Sequence, residues 1–312
     1  VIQYYRYQSG TCGAGPTCDF DGTIRTKPGF EQSEVFLTGF ALERSSSSAP
    51  LQGISASVDK VRYDAPTGDL ALRVYGTFQS GQNFSYEISF VVLLTSNAAA
   101  KFTPLGNGCS DVALCHVVST SAGAVPAGMR FIGFATRKYF LGTNGPPMNV
   151  LTLSMSKNGI SGFSPAGPGN VDYICAFRDA TSSKRMFCEW SASVIAFNPA
   201  ELVAASNNPL PETMFLGQSS TTDRLNHTYQ LAGGGSTRGI FNALEGVSLY
   251  YTGTQDQPVW RVEASASAFQ TSGSPPNSGS AEYGLFLGTT FGNRVNTTPY
   301  NYQMWRAVGF LR

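Results

Sequence analysis

The sequence predicts an all-β chain of tandem antiparallel β-sandwich units, jelly-roll-like or Ig-like, in about three pseudo-repeats of roughly 90 residues. Three observations carry that expectation. No long stretch places apolar residues at i, i+3, i+4 and i+7, as a helix would require. Period-two alternation returns many times between Gly, Pro, Asn and Asp clusters. A strand that sets Gly beside an aromatic residue recurs along the chain.

The elements follow in order. Val1 to Gln8 reads as an extended, aromatic-rich strand. The Gly-aromatic marker first occurs at Val35–Ala41, then at Arg130–Ala135, with weaker copies at Met214–Gly217 and Ala307–Leu311. Their glycines, Gly39, Gly133, Gly217 and Gly309, stand 94, 84 and 92 residues apart. Between markers a Ser-bearing strand comes first: Leu51–Val61, Val150–Ser156 and Leu244–Tyr250. A second follows at Leu70–Phe78, Val171–Arg178 and Val259–Ala266, and a third at Tyr86–Leu94, Phe187–Phe197 and Tyr283–Gly288. Alternation in Ile54–Val61, Leu70–Tyr75 and Tyr86–Phe90 predicts one buried and one wet face. Asp64–Asp69 supplies a turn between two of these strands. A short helix is expected near Pro199–Ala205, capped by Asn198 with Pro199 in its first turn.

These strands divide the chain into 1–34 (N-terminal strand and disulfide loop), 35–129, 130–213 and 214–300 (β-sandwich units one to three) and 301–312 (a closing strand). Four markers serve three blocks, which leaves a surplus strand at each end. An unpaired edge must be covered, paired within the chain, or paired with another chain. Head-to-tail pairing between copies would build a filament.

Composition narrows the partners. Hydrophobic residues make up 42% of the chain, enough for a sizeable core, and charged residues only 13%. Net charge is +1 and the basic residues are scattered, so no footprint for a phosphate backbone exists. The longest apolar run, Phe90–Leu94, is too short to span a bilayer. A neutral surface of Ser, Thr, Asn, Gln and Gly suits extracellular packing or contact with sugars. The first residue, Val1, fits a mature terminus left by a removed targeting signal.

Six cysteines fall into local pairs, Cys12 with Cys18, Cys109 with Cys115, and Cys175 with Cys188, the pattern of disulfides in an oxidising compartment. Sequons at Asn83, Asn226 and Asn296 are glycosylation candidates, the last weakened by Pro299. No metal or cofactor is expected. Asp19-Phe20-Asp21-Gly22 reads as an Asx-type turn ahead of a calcium site, since the further ligands of such a loop are missing.

The chemistry of an enzyme is not announced. The two histidines, His116 and His227, have no companions that would form a triad or metal set. Gly233-Gly234-Gly235 reads as a flexible loop, not a phosphate cradle. Trp190, Trp260 and Trp305 read as core ahead of sugar platforms. Tyr4, Tyr5, Tyr7, Tyr300 and Tyr302 are the interface candidates. The expected function is that of a secreted, non-catalytic structural or adhesive subunit of an extracellular or cell-surface assembly, polymerising by strand addition through its terminal strands. Its partners would be further copies of itself or other extracellular proteins, with no nucleic acid and no membrane insertion. The alternative is a multivalent carbohydrate-binding protein. The loops Glu43–Pro50, Lys138–Pro147 and Ser219–Phe241 share no polar signature, which favours assembly over sugar binding.

Overall fold

A computed structural model describes residues 2–8, 17–79, 81–112, 115–161, 167–181, 185–202, 212–221, 223–230, 239–251, 255–270, 278–288 and 295–311. Among them every sheet is antiparallel, so the all-β class holds. The first segment supplies β1 (Ile2–Gln8), β2 (Thr17–Arg25), β3 (Gln32–Arg44), β4 (Gly53–Asp64), β5 (Asp69–Gln79) and β6 (Phe84–Thr95). The second supplies β7 (Ala100–Val112), β8 (Cys115–Ala122), β9 (Arg130–Thr143), β10 (Thr152–Ser161), β11 (Gly169–Arg178) and β12 (Met186–Phe197). The third supplies β13 (Glu212–Thr221), β14 (Asp223–Gln230), β15 (Gly239–Tyr251), β16 (Arg261–Gln270), β17 (Ser278–Gly288) and β18 (Val295–Leu311). A single 3-10 turn, Pro199–Glu201, stands where a short helix is predicted, and Asn198 caps it by accepting from the Ala200 N–H.

The three six-stranded sheets run β1-β6-β3-β16-β17-β14, β7-β12-β9-β4-β5-β2 and β13-β18-β15-β10-β11-β8. Each therefore takes the first, sixth and third strands of one segment and joins them to the fourth, fifth and second strands of another. The exchange is cyclic, so no sheet is closed within one segment. The junctions share one register. Leu42 faces Val262, Leu141 faces Ile54, and Leu249 faces Leu153. The third-strand positions Leu42, Leu141 and Leu249 repeat at intervals of 99 and 108 residues, and the fourth-strand positions Ile54, Leu153 and Val262 at 99 and 109, not 94, 84 and 92.

That topology corrects the third block. Val35–Ala41 and Arg130–Ala135 do lie on equivalent strands, β3 and β9. Met214–Gly217 and Ala307–Leu311 instead lie on β13 and β18, and the equivalent third strand is β15. Leu244–Tyr250, Val259–Ala266 and Tyr283–Gly288 each slip by one strand for the same reason. The expected limits at 34/35, 213/214 and 300/301 fall inside β3, β13 and β18. Every strand carries the same alternation, so only pairing tells one from the next.

Two cores explain the burial. In β5, Leu70, Leu72 and Val74 point inward while Ala71, Arg73 and Tyr75 point outward, as alternation requires. β6 and β12 share a different pattern, alternating in their first halves and buried on both faces in their second. One face of each second half, such as Val92 and Val194, joins the large core between half-sheets. The other face, Val91, Leu93, Ile195 and Phe197, joins a second core with Phe36, Ile132, Ala135, Phe241 and Ala243 from the third strands of all three segments. Register makes Phe36, Ala135 and Ala243 equivalent. One large and two small side chains fill a centre that three phenylalanines would overpack.

The turn predicted at Asp64–Asp69 forms as expected. Gly68 takes φ +76° and its N–H donates to the Asp64 carbonyl at 2.8 Å. A Cβ there would stand 2.5 Å from the Thr26 carbonyl oxygen, so the position admits only glycine.

Candidate binding surface

The three connections between third and fourth strands meet at one end of the molecule. Ala49 pairs with Val259, Leu51 with Met148, and Val150 with Gln257. Each pair exchanges two backbone hydrogen bonds, among them Leu51 N–H to Met148 O at 2.7 Å and Val150 N–H to Gln257 O at 2.8 Å. Three loops so tied form a closed ring. Leu51, Met148, Val150 and Val259, all members of these pairs, are buried.

Above the ring stand Ser45–Ser48, Asn144–Pro147 and Gln255–Gln257, all exposed or half-buried. Neighbouring groups hold them in place. Ser45 N–H donates to the Asn83 carbonyl at 3.1 Å, and Gln52 Nε2 donates to the Gly145 carbonyl at 3.1 Å. Thr143 Oγ1 donates to the Arg185 carbonyl at 2.7 Å. The surface offers hydroxyls, amides and carbonyls with little charge. It can form many neutral hydrogen bonds to a polar partner. No sequence signature announced it, because three loops of unlike sequence converge only through strand exchange.

The sequence candidates are distributed differently. Trp190 is buried with its ring 3.9 Å from that of Tyr173, and Trp260 is buried against Phe286, so both are core. The side chain of Trp305 lies outside the described residues. Tyr5 stacks on Phe90 at 5.5 Å and donates to the Arg25 carbonyl, and burial raises its pKa. It packs within the chain, closing the gap between β1 and β2. The side chains of Tyr4, Tyr7, Tyr300 and Tyr302 lie outside the described residues; their backbones face Val91, Ile88, Tyr251 and Leu249.

The terminal strands are not equally open. β18 lies between β13 and β15 and so is not an edge strand: Tyr300–Ala307 pair on both sides, and Val308–Leu311 pair with β15. This corrects the expectation of a surplus strand at the C-terminal end. Among the described residues β1 pairs with β6 on one side only. Asp19 and Asp21 lie within β2, not in a turn. Arg73 donates to both Asp21 oxygens, at 2.6 and 2.8 Å, and holds that carboxyl below its ordinary range. Among the described residues no group of three His, Cys, Asp or Glu is placed to hold a metal. Among the described residues no helix is long and apolar enough to cross a membrane.

Asn83 is exposed in the turn between β5 and β6, beside the polar loops. The side chains of Asn226, Asn296, His116 and His227 lie outside the described residues, as do Gly233–Gly235. Cys12 and the side chains of Cys18 and Cys115 lie outside them too. The sulfurs of Cys175 and Cys188 are 2.7 Å apart, and those of Cys188 and Cys109 are 2.9 Å apart. Neither Cys175 nor Cys188 is disulfide-bonded. The Cys109 and Cys188 thiols, together with burial, push the Cys175 thiol far above its ordinary pKa. The expected pairing of Cys175 with Cys188 is thus brought within reach, and Cys109 joins them unannounced.

Comparison of the chain with family models, curated proteins and solved structures finds no match.

Proposed function

We propose that the chain is a secreted, non-catalytic structural or adhesive subunit of an extracellular assembly, built as three β-sandwich units locked into one body. In each unit the first, sixth and third strands would face the fourth, fifth and second. The observation that carries the reading is the cyclic bridging of Ala49–Leu51, Met148–Val150 and Gln257–Val259. It fixes three polar loops at one rigid end, and a preorganised surface loses little entropy when it binds. Further copies of the chain or other extracellular proteins are the proposed partners. Edge pairing through β1 would add a second contact. The close thiols and the exposed Asn83 support the export reading.

The hydroxyl and amide groups of the same loops favour carbohydrate binding as the second reading. Three loops in one ring would give it multivalency. Negative-stain imaging of the native protein, with a glycan array run in parallel, tests both. Filaments or ordered clusters support assembly. Discrete particles retained on glycans would replace it with the sugar reading, and discrete particles that bind no glycan would overturn both.

A further inference from the structure

A groove of about 390 Å³ opens on the sheet that holds β7, β12 and β9, beside the polar loop Asn144–Pro147. Phe140, Phe187, Glu189, Ser110 and Asn144 are among the residues that line it. Phe140 lies between the buried Tyr139 and Leu141. Phe187 and Glu189 alternate with the buried Met186, Cys188 and Trp190, so all three side chains turn to the outer face. Glu189 stands directly across from Phe140, and Phe187 across from Gly142. A Cβ on Gly142 would stand 2.9 Å from Phe187 Cζ and 3.0 Å from the Gln52 carbonyl oxygen, so glycine at that position leaves room for the Phe187 ring over β9. The Phe140 and Phe187 rings meet at 4.8 Å with a tilt of 49°. Lys138 holds the Glu189 carboxylate at 2.6 Å. The Gly145 N–H donates to Thr143 Oγ1 at 3.1 Å and Gln52 Nε2 donates to the Gly145 carbonyl, so the exposed Asn144 is carried on a fixed loop.

We propose, resting on the carbohydrate reading, that this groove binds one neutral hexopyranose per chain. The Phe140 and Phe187 rings take the C–H face of the sugar, and Ser110, Asn144 and Glu189 take its hydroxyls. Aromatic carbon covers the apolar face of such a ring, while a few polar groups at the edge fix its orientation. The volume falls within the range of about 300–1,000 Å³ for small-ligand pockets. Glu189 accepts hydroxyl protons on either oxygen, and Asn144 offers both a donor and an acceptor. An apolar peptide side chain would cover the same groups without replacing the hydrogen bonds they make to water. Lys138 neutralises Glu189, so the groove gives an acidic sugar no advantage over a neutral one. Register makes the site single. The positions of Phe140 and Phe187 hold Ala41 and Ser85 in the first segment, and Ser248 and Asn301 in the third. Glu87 is the counterpart of Glu189, but it faces Ala41 where Glu189 faces a ring.

The test applies saturation-transfer difference NMR to the full-length chain with the methyl glycosides of galactose, glucose, mannose and N-acetylglucosamine. At least one should receive saturation, strongest on the ring C–H protons of one face. Phe140→Ala should weaken its binding about tenfold. Asn144→Ala, at an exposed loop position, should weaken it about fivefold. Near-UV circular dichroism checks that each variant is folded, and calorimetric titration of the parent chain should count one site. Unchanged affinity in either folded variant, or three sites per chain, would overturn the proposal and leave the carbohydrate reading to the loop ring. Saturation of none of the four glycosides would also overturn it, and a glycan array blank as well would remove the carbohydrate reading with it.

Discussion

Arg261 on β16 holds Glu43 on β3 across the junction of the first and third segments. The same guanidinium binds Glu263 at 2.7 Å, and both Arg261 and Glu263 are nearly buried. Removing the cation leaves the nearly buried Glu263 carboxylate unpaired beside Glu43, whose side chain is about one third exposed. Arg261→Ala should cost about 3–5 kcal/mol. Chemical denaturation checks this, and a loss as small as that of a surface pair would show that the junction is open to water.

Gly39 lies on the same junction, opposite Ser265. A Cβ there would stand 2.7 Å from the Ala264 carbonyl oxygen and 2.8 Å from Ser265 Cα. Those are backbone atoms, which cannot swing aside. Gly39→Ala should destabilise by about 1–3 kcal/mol through overpacking. Gly123→Ala, with nothing within 4 Å, is the matched control and should leave the thermal midpoint unchanged.

Arg44 is fully buried, with its guanidinium 5.2 Å from the Phe78 ring centre and Nη2 donating to the Pro50 carbonyl. Its Nε and Nη1 have no hydrogen-bond partner among the described residues. Burial lowers its pKa from the ordinary guanidinium range to about 10. Below about pH 10 the folded chain carries the cost of a desolvated cation. Above about pH 10 the folded group gives up its proton before the unfolded one does, so its contribution to stability rises with pH. The stability of the parent chain relative to Arg44→Met should therefore improve from pH 8 to pH 11. Urea titrations at the two pH values measure the difference, in which tyrosine ionisation common to both chains largely cancels.

Asn83 stands exposed beside the polar loops. Expressed through a eukaryotic secretory pathway, the chain should carry a glycan there, and Asn83→Gln should remove that mass without changing the thermal midpoint. Intact-mass analysis before and after glycosidase treatment reads it directly.

Strand positions were legible where one face meets a core and the other meets water. Leu70, Leu72 and Val74 alternate as read, and the Asp64–Asp69 turn falls in place. Ser55 and Ser57 read as a wet face but are buried. Thr77 Oγ1 donates to Ser55 Oγ at 3.1 Å, so the hydroxyls satisfy one another where strands are covered on both sides. Pairing across segments leaves no local trace, which is why the third block slipped by one strand. The candidate surface was illegible for the same reason: Ala49, Met148 and Gln257 belong to loops about one segment apart. The closeness of Cys175 and Cys188 was legible in their spacing. Cys109 was not, since its approach comes from a register between β7 and β12.

The central claim is that the segments fold only together, because each third strand completes its sheet with a fourth strand from another segment. Expressing residues 100–202 alone tests this most directly, with amide proton–nitrogen spectra and sedimentation as the readout. The isolated segment lacks β4 beside β9 and β15 beside β10, so it should be unfolded or self-associated. A dispersed spectrum from a stable monomer would contradict the account.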